Sequence, residues 1–185
     1  MATLRHACLL LAAGFSRRLG HDKALCAHPA GGSLIQHVLR EGAVTGPSEF
    51  LVVRQPGQAL PTVHGVQVRR VSCEAASEGM AASLRAGLAA LDPSLDGVLV
   101  LLLDQPTLAS AHLLHLVARW HQAPAVAVAS AYAGIAGVPA LLPRDWFEAL
   151  RALKGDTGAR ELLRAGTRPV ELVQAEDLAQ DLDRV

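Results

Sequence analysis

The stretch that decides the fold is "LLLAAGFSRRLGHDKAL", residues 9–25. It runs from an apolar segment into a small-residue turn and then sets Arg17, Arg18 and Lys23 close behind it. Consecutive apolar side chains over residues 7–12 suit a strand covered on both faces, as in a parallel sheet. Runs of the same kind recur at 50–53, 66–71, 98–103 and 125–129. Between them, residues 34–44, 79–91 and 111–120 carry apolar residues three and four apart, the period of a helix with one buried stripe. In the second of these segments Met80, Leu84, Leu88 and Leu91 fall on that stripe, while Arg85 and Asp92 leave it. Strands alternating with helices predict an α/β fold, a three-layer α/β/α arrangement around a mostly parallel, Rossmann-like sheet.

Ligands of such sheets bind outside the carboxyl ends of the strands. That singles out residues 13–23, 72–79 and 104–107. After residue 129 the pattern changes to a glycine-rich, strand-like opening, a short helix over 144–153, a turn at 154–157 and another short helix. No repeat or linker interrupts the chain, so residues 1–185 read as a single domain with 130–166 as a lobe over the sheet.

Composition narrows the function. Lys+Arg and Asp+Glu both total 17, for zero formal net charge, and aromatics make up 3%. Neither a basic footprint nor a stacking platform is present, so no nucleic-acid and no membrane partner is expected. Cys8, Cys26 and Cys73 are odd in number and show no CxxC spacing, which points away from a disulfide framework or a zinc site and toward a cytoplasmic protein. The N-terminal apolar run is shorter than a signal-peptide core and far below the roughly 18 residues of a membrane span.

The turn Ala12–Ala13–Gly14 permits close approach to the backbone, and its N–H groups can form an anion-binding concavity, with Ser16 adding a hydroxyl. Arg18 can grip two phosphate oxygens and Lys23 can act as a point charge, a set that suits a triphosphate. By residue type alone, solvated loop charges are an equal reading. The spacing fits neither GxxxxGK[ST] nor GxGxxG. Asp104 ends an apolar run at the same predicted sheet edge and is a candidate metal ligand, with a turn-capping role as the alternative. Ser77, Glu78 and Gly79 form a plausible helix start with amides open to a ligand. The eight histidines show no ligand spacing, and His112 and His115 suit a helix edge.

The loop resembles, more specifically, the LAAGxSxRMGxxK signature of the MobA-like nucleotidyltransferases. Leu11, Ala12, Ala13, Gly14, Ser16, Arg18, Gly20 and Lys23 match, and Leu19 replaces the methionine. The resemblance continues along nearly the whole chain: "SEGMAASL" resembles GMSSSL, "LLLDQP" resembles GDQP, "GVPALLPRDWF" resembles GHPVLFPRxxF, and "LKGDTGARELL" resembles LxGDxGARxLL. The LAAG opening is nearest to the MocA-type molybdenum cofactor cytidylyltransferases. The resemblance implies a sheet of the nucleotide-diphospho-sugar transferase type, CTP or another NTP as donor, a molybdopterin-type acceptor, Mg²⁺ as cofactor and a molybdenum hydroxylase as receiving partner.

Carried onto this sequence, it makes Arg18, Lys23 and Asp104 catalytic and assigns Leu11, Ala12, Ala13, Gly14, Ser16, Gly79, Met80 and Ser83 to the nucleotide. Gly137, Pro139, Asp156 and Arg160 fall on the acceptor side, and Asp104 and Asp183 on the metal. Residue chemistry alone reads Met80 as core, Arg160 as a surface ion-pair partner and the acidic C-terminus as solvated. The chain departs from the pattern at Leu103, where glycine is usual, at Val138, where histidine is usual, and in "AQDLDRV", which lacks TPED. These departures keep open a GTP-dependent guanylyltransferase, transfer to another phosphorylated acceptor, or a non-catalytic cofactor-binding module.

Overall fold

The computed structural model describes residues 3–14 and 21–179. One seven-stranded sheet organises them, in the order β3-β2-β1-β4-β6-β5-β7. The strands are β1 (His6–Leu11), β2 (Glu49–Arg54), β3 (Arg69–Ser72), β4 (Gly97–Leu102), β5 (Ala127–Tyr132), β6 (Ile135–Pro143) and β7 (Val170–Gln174). Pairing is parallel from β3 through β2 and β1 to β4, and again between β5 and β7; β6 runs antiparallel to both β4 and β5. The helices are α1 (Leu34–Ala43), α2 (Met80–Ala90), α3 (Ser110–Gln122), α4 (Phe147–Ala152) and α5 (Ala159–Arg164).

Two apolar cores flank the sheet because side chains alternate across each strand. Ala7, Leu9 and Leu11 of β1, with Val98 and Val100 of β4, face Leu84 and Leu88 of α2, Leu150 of α4 and Leu163 of α5. Cys8 and Leu10, with Leu99 and Leu101, face Ile35 and Leu39 of α1 and Leu113, Leu116 and Trp120 of α3. This is the expected three-layer arrangement. The unbroken apolar run in β1 is explained by burial on both faces, and that burial pushes the Cys8 thiol up to about 12, leaving it inert.

Local chemistry sets the helix ends. Ser33 and Gln36 form a capping box at the start of α1. The Ala- and Leu-rich α2 stops where Leu91 turns extended ahead of Pro93. Gly87 lets α2 settle onto β1, since a Cβ there would lie 2.5 Å from a Leu9 methyl.

The expected elements shift in places. The run at 66–71 pairs only as Arg69–Ser72, an edge strand with exposed side chains, because it has a neighbour on one side alone. The last strand, β7, has no counterpart among the expected runs; Glu171 and Gln174 interrupt its apolar residues beside β5, so it lacks the continuous apolar signal. Within 130–166, β6 lies in the sheet itself, whereas α4 and α5 pack on the α2 side. No helix among the described residues is long and apolar enough to cross a membrane.

Three histidines are held below their ordinary value. His6 is pushed down to about 4 by burial and then by His121, while its Nε2 meets the Thr45 hydroxyl at 3.1 Å. Burial also lowers His37 and His112, reinforced by His28 and His115 respectively. The unfolded chain therefore binds more protons than the folded one as pH falls below about 6.5. Stability is complete above that value and falls progressively toward pH 4, with His6 alone accounting for about 3 kcal/mol. Urea midpoints at pH 7.5, 5.5 and 4.5 should drop in that order, and His6→Gln should flatten the trend.

Candidate active site

Register brings the three loops singled out in the sequence to one edge. Leu11 lies opposite Val53 on one side and Leu102 on the other, and Val53 in turn lies opposite Val71, so the chain leaves β1, β3 and β4 at the same edge. Because β6 runs in reverse, its beginning lies at this edge too.

Two residues that the sequence analysis did not single out shape the first loop. Arg54, at the end of β2, is completely buried. Its guanidinium donates to the Ala12 carbonyl at 2.6 Å, to the Ala59 carbonyl at 2.9 and 3.2 Å, and to the carboxylate of Asp22. Gln55 Nε2 donates to the Ala13 carbonyl at 2.7 Å. In a planar trans peptide the N–H points opposite to the preceding C=O. Holding the carbonyls of Ala12 and Ala13 therefore turns the N–H groups of Ala13 and Gly14 away from Arg54 and Gln55. The signal in the sequence is the charged residue closing the apolar run "FLVVRQ".

Asp22 accepts a hydrogen bond from the Ala24 N–H at 3.1 Å, capping the short turn Lys23–Leu25. That turn delivers Lys23, whose Nζ lies 2.6 Å from Asp104 Oδ1. The lysine side chain is 13% exposed and the aspartate 49%, so the pair sits at the lip of the edge with a carboxylate oxygen open to solvent. Leu103 turns into the α1/α3 core and leaves the edge to Asp104. Ser16 and Arg18, with Arg17, lie outside the described residues, as does Asp183.

A pair of histidines joins the Lys23 loop to the Asp104 turn. His28 and His37 stack at 3.8 Å with their planes 9° apart. His28 Nδ1 accepts from the Ala30 N–H at 3.1 Å, so its Nε2 carries the proton donated to the Pro106 carbonyl at 2.8 Å. His37 Nε2 donates to the Leu108 carbonyl at 2.8 Å. Nothing in their spacing marks them, since one lies in a loop and the other on a helix.

Gly79, Met80 and Asp156 come together, but differently from the expected open helix start. Asp156 Oδ1 accepts the Met80 N–H at 3.3 Å and the Gly155 carbonyl accepts the Ala81 N–H at 3.1 Å. The turn at 154–157 thus caps α2, and its amides are engaged by the protein's own chain. Gly79 has φ +114°, and a Cβ there would lie 2.4 Å from the Gly155 carbonyl carbon. Met80 packs partly against the core and against Gly158, and Ser83 is buried. Arg160 is exposed on α5.

Gly137 and Pro139 are buried within β6, flanking Val138. The Val138–Pro139 peptide is cis, and Gly137 sits where a Cβ would lie 2.5 Å from the Tyr132 hydroxyl. Val138 O accepts from Tyr132 at 2.9 Å and from Gln105 Nε2 at 2.7 Å, and Pro139 O accepts from Ser130 at 2.7 Å.

Among the described residues no three His, Cys, Asp or Glu side chains cluster as an all-protein cage. One accessible carboxylate at a strand end still fits Mg²⁺, which is held by one or two carboxylates together with substrate phosphates.

Residues 8–172 match the MobA-like NTP transferase domain. The chain belongs to this family. It is a nucleotidyltransferase, and 32% of its residues are identical over 169 positions to the purine catabolism protein PucB of Bacillus subtilis (strain 168), covering 85% of this chain and 80% of that protein. The crystal structure of Rv0371c from Mycobacterium tuberculosis H37Rv superposes with a TM-score of 0.78 at 26% identity, over 95% of this chain and 90% of that one. A nucleotidyl transferase from Methanothermobacter shares the fold with a TM-score of 0.75 at 21% identity, over 95% and 91% of the two chains. In this MobA-like chain the first loop is held from beneath by Arg54, and the start of α2 is closed by Gly155 and Asp156.

Arg54→Met should cost about 3–5 kcal/mol in urea unfolding, because it strands the Asp22 carboxylate and two carbonyls. Gly79→Ala should cost about 2 kcal/mol or more by the same measurement, since both its φ and its contact with Gly155 exclude a Cβ.

Proposed function

We propose that this nucleotidyltransferase transfers CMP from CTP to the terminal phosphate of molybdopterin or the molybdenum cofactor, releasing pyrophosphate. The observation that carries the transfer chemistry is the pairing of Lys23 with Asp104 beside the Ala12–Ala13–Gly14 turn. The choice of CTP is supported by the LAAG opening, which resembles the cytidylyl-transferring branch. The match to a protein named for purine catabolism is compatible with a molybdenum hydroxylase as the receiving partner.

In the proposed reaction an acceptor phosphate oxygen attacks the α-phosphorus in line; the new P–O bond forms as the bond to the β-phosphate breaks, and pyrophosphate carries away the electron pair. Catalysis is then positioning and charge stabilisation. The N–H groups of Ala13 and Gly14 face the phosphates, kept so by Arg54 and Gln55. Lys23 neutralises charge on the α-phosphate and on the leaving group; a cation and a phosphate about 4 Å apart attract by roughly 4 kcal/mol at an effective dielectric near 20. Arg18, earlier in the same loop, serves the same charge. Mg²⁺ held by Asp104, with Asp183 as a second ligand, would neutralise and orient the phosphates. Gly79, Met80 and Ser83 hold the base and ribose, and Asp156 and Arg160 with the Gly137–Pro139 strand line the acceptor side of the 130–166 lobe.

Val138 supports a second reading, in which the acceptor is a different phosphorylated molecule or the donor is GTP: it is aliphatic and 4% exposed where the resembling pattern has a histidine. Pyrophosphate release measured with Mg²⁺, molybdopterin and each of the four NTPs distinguishes these readings. Release with CTP alone is expected, and preference for GTP overturns the cytidylyl assignment. Lys23→Ala, Arg18→Ala and Asp104→Ala should each lower kcat/KM by about 10²-fold or more, and Arg17→Ala by much less. Equal, small losses from all four would refute these roles.

A further inference from the structure

We infer that Gln105 reads the acceptor substrate, its side-chain carbonyl accepting a hydrogen bond from a ring N–H or amino group of a heterocycle. The inference rests on the heterocyclic, phosphorylated acceptor proposed above. Gln105 directly follows Asp104 and is 5% exposed. Its Nε2 donates to the Val138 carbonyl at 2.7 Å, and the Tyr132 hydroxyl donates to that same oxygen at 2.9 Å. A carbonyl oxygen only accepts, so the Gln105 amide cannot be turned end for end. That leaves Oε1 buried and, among the described residues, without a hydrogen-bond partner.

The strand it grips is itself held. Ser130 Oγ donates to the next carbonyl, Pro139 O, at 2.7 Å and lies 2.8 Å from His112 Nε2, so two successive carbonyls of β6 are pinned. A fixed amide oxygen is complementary to a donor and repels phosphate and carboxylate. Gln105 links the turn after β4 to β6, the strand that carries Gly137 and Pro139. Val138 adds only aliphatic surface, and Gln105 supplies a polar group beside it.

The test is a fluorescence titration of the full chain, with CTP present, using 6-hydroxymethylpterin and its analogue methylated at the ring N–H and the amino group. The wild type should bind the unmethylated pterin about ten-fold tighter, the scale of one hydrogen bond. Gln105→Met should lose that factor for the pterin, leave the methylated analogue and CTP unaffected, and keep the melting temperature at or above the wild-type value. A variant that retains the preference, or that loses CTP binding or melting temperature along with it, overturns the inference. If Gln105→Met does not fold, equal wild-type affinity for the two pterins overturns it. Binding of CTP with neither pterin removes both this inference and the pterin acceptor, while nucleotidyl transfer stands.

Discussion

The buried guanidinium of Arg54 is the constraint on which the candidate site depends. It sits with no exposure at the end of β2 and reaches the backbone beyond β1, the Asp22 cap of the Lys23 turn and the Ala59 carbonyl together. An arginine in this position is tolerated only because each face of its fork meets an oxygen; a buried charge without partners costs far more than the fold could offset. Its rigid planar geometry then orients two loops at once, which a lysine with its flexible point charge could not do. The direction of the loop amides and the delivery of Lys23 to Asp104 both follow.

Around that anchor the protein closes its edge by linking loops from different elements. The stacked histidines tie the segment before α1 to the turn after β4. Gly155 and Asp156 cap α2 and so join the start of that helix to the region after β6. Most of these contacts run from a side chain to a backbone carbonyl or amide, so the side chains that hold the loops are themselves committed. Gln105 is the exception: half of its amide is committed to β6 and half is not.

Much of the fold was legible because burial on both strand faces leaves an unbroken apolar run, as in β1, β2 and β4. Where one neighbour was missing, as in β3, or where polar residues interrupted the run, as in β7, the signal weakened. The antiparallel place of β6 could not be read, since a hydrophobic strand looks the same in either direction. At the site, Lys23 and Asp104 were legible from their loop and strand-end positions. Arg54, Gln55, His28 and His37 were not, because their partners are backbone groups far away in the chain and leave no spacing to detect.

The amino-acid sequence alone determined the class of fold and the end of the sheet where chemistry belongs, because hydrophobic periodicity and the punctuation of loops are local properties. It also carried the family motifs, whose residues the chain holds in order from Leu11 to Arg160. Only the tertiary structure decided that Lys23 meets Asp104, that Arg54 supports the first loop, that the start of α2 is capped from within, and that Gln105 keeps one buried oxygen unpaired among the described residues. Each of these depends on strand order and register, which bring residues tens of positions apart within hydrogen-bond distance.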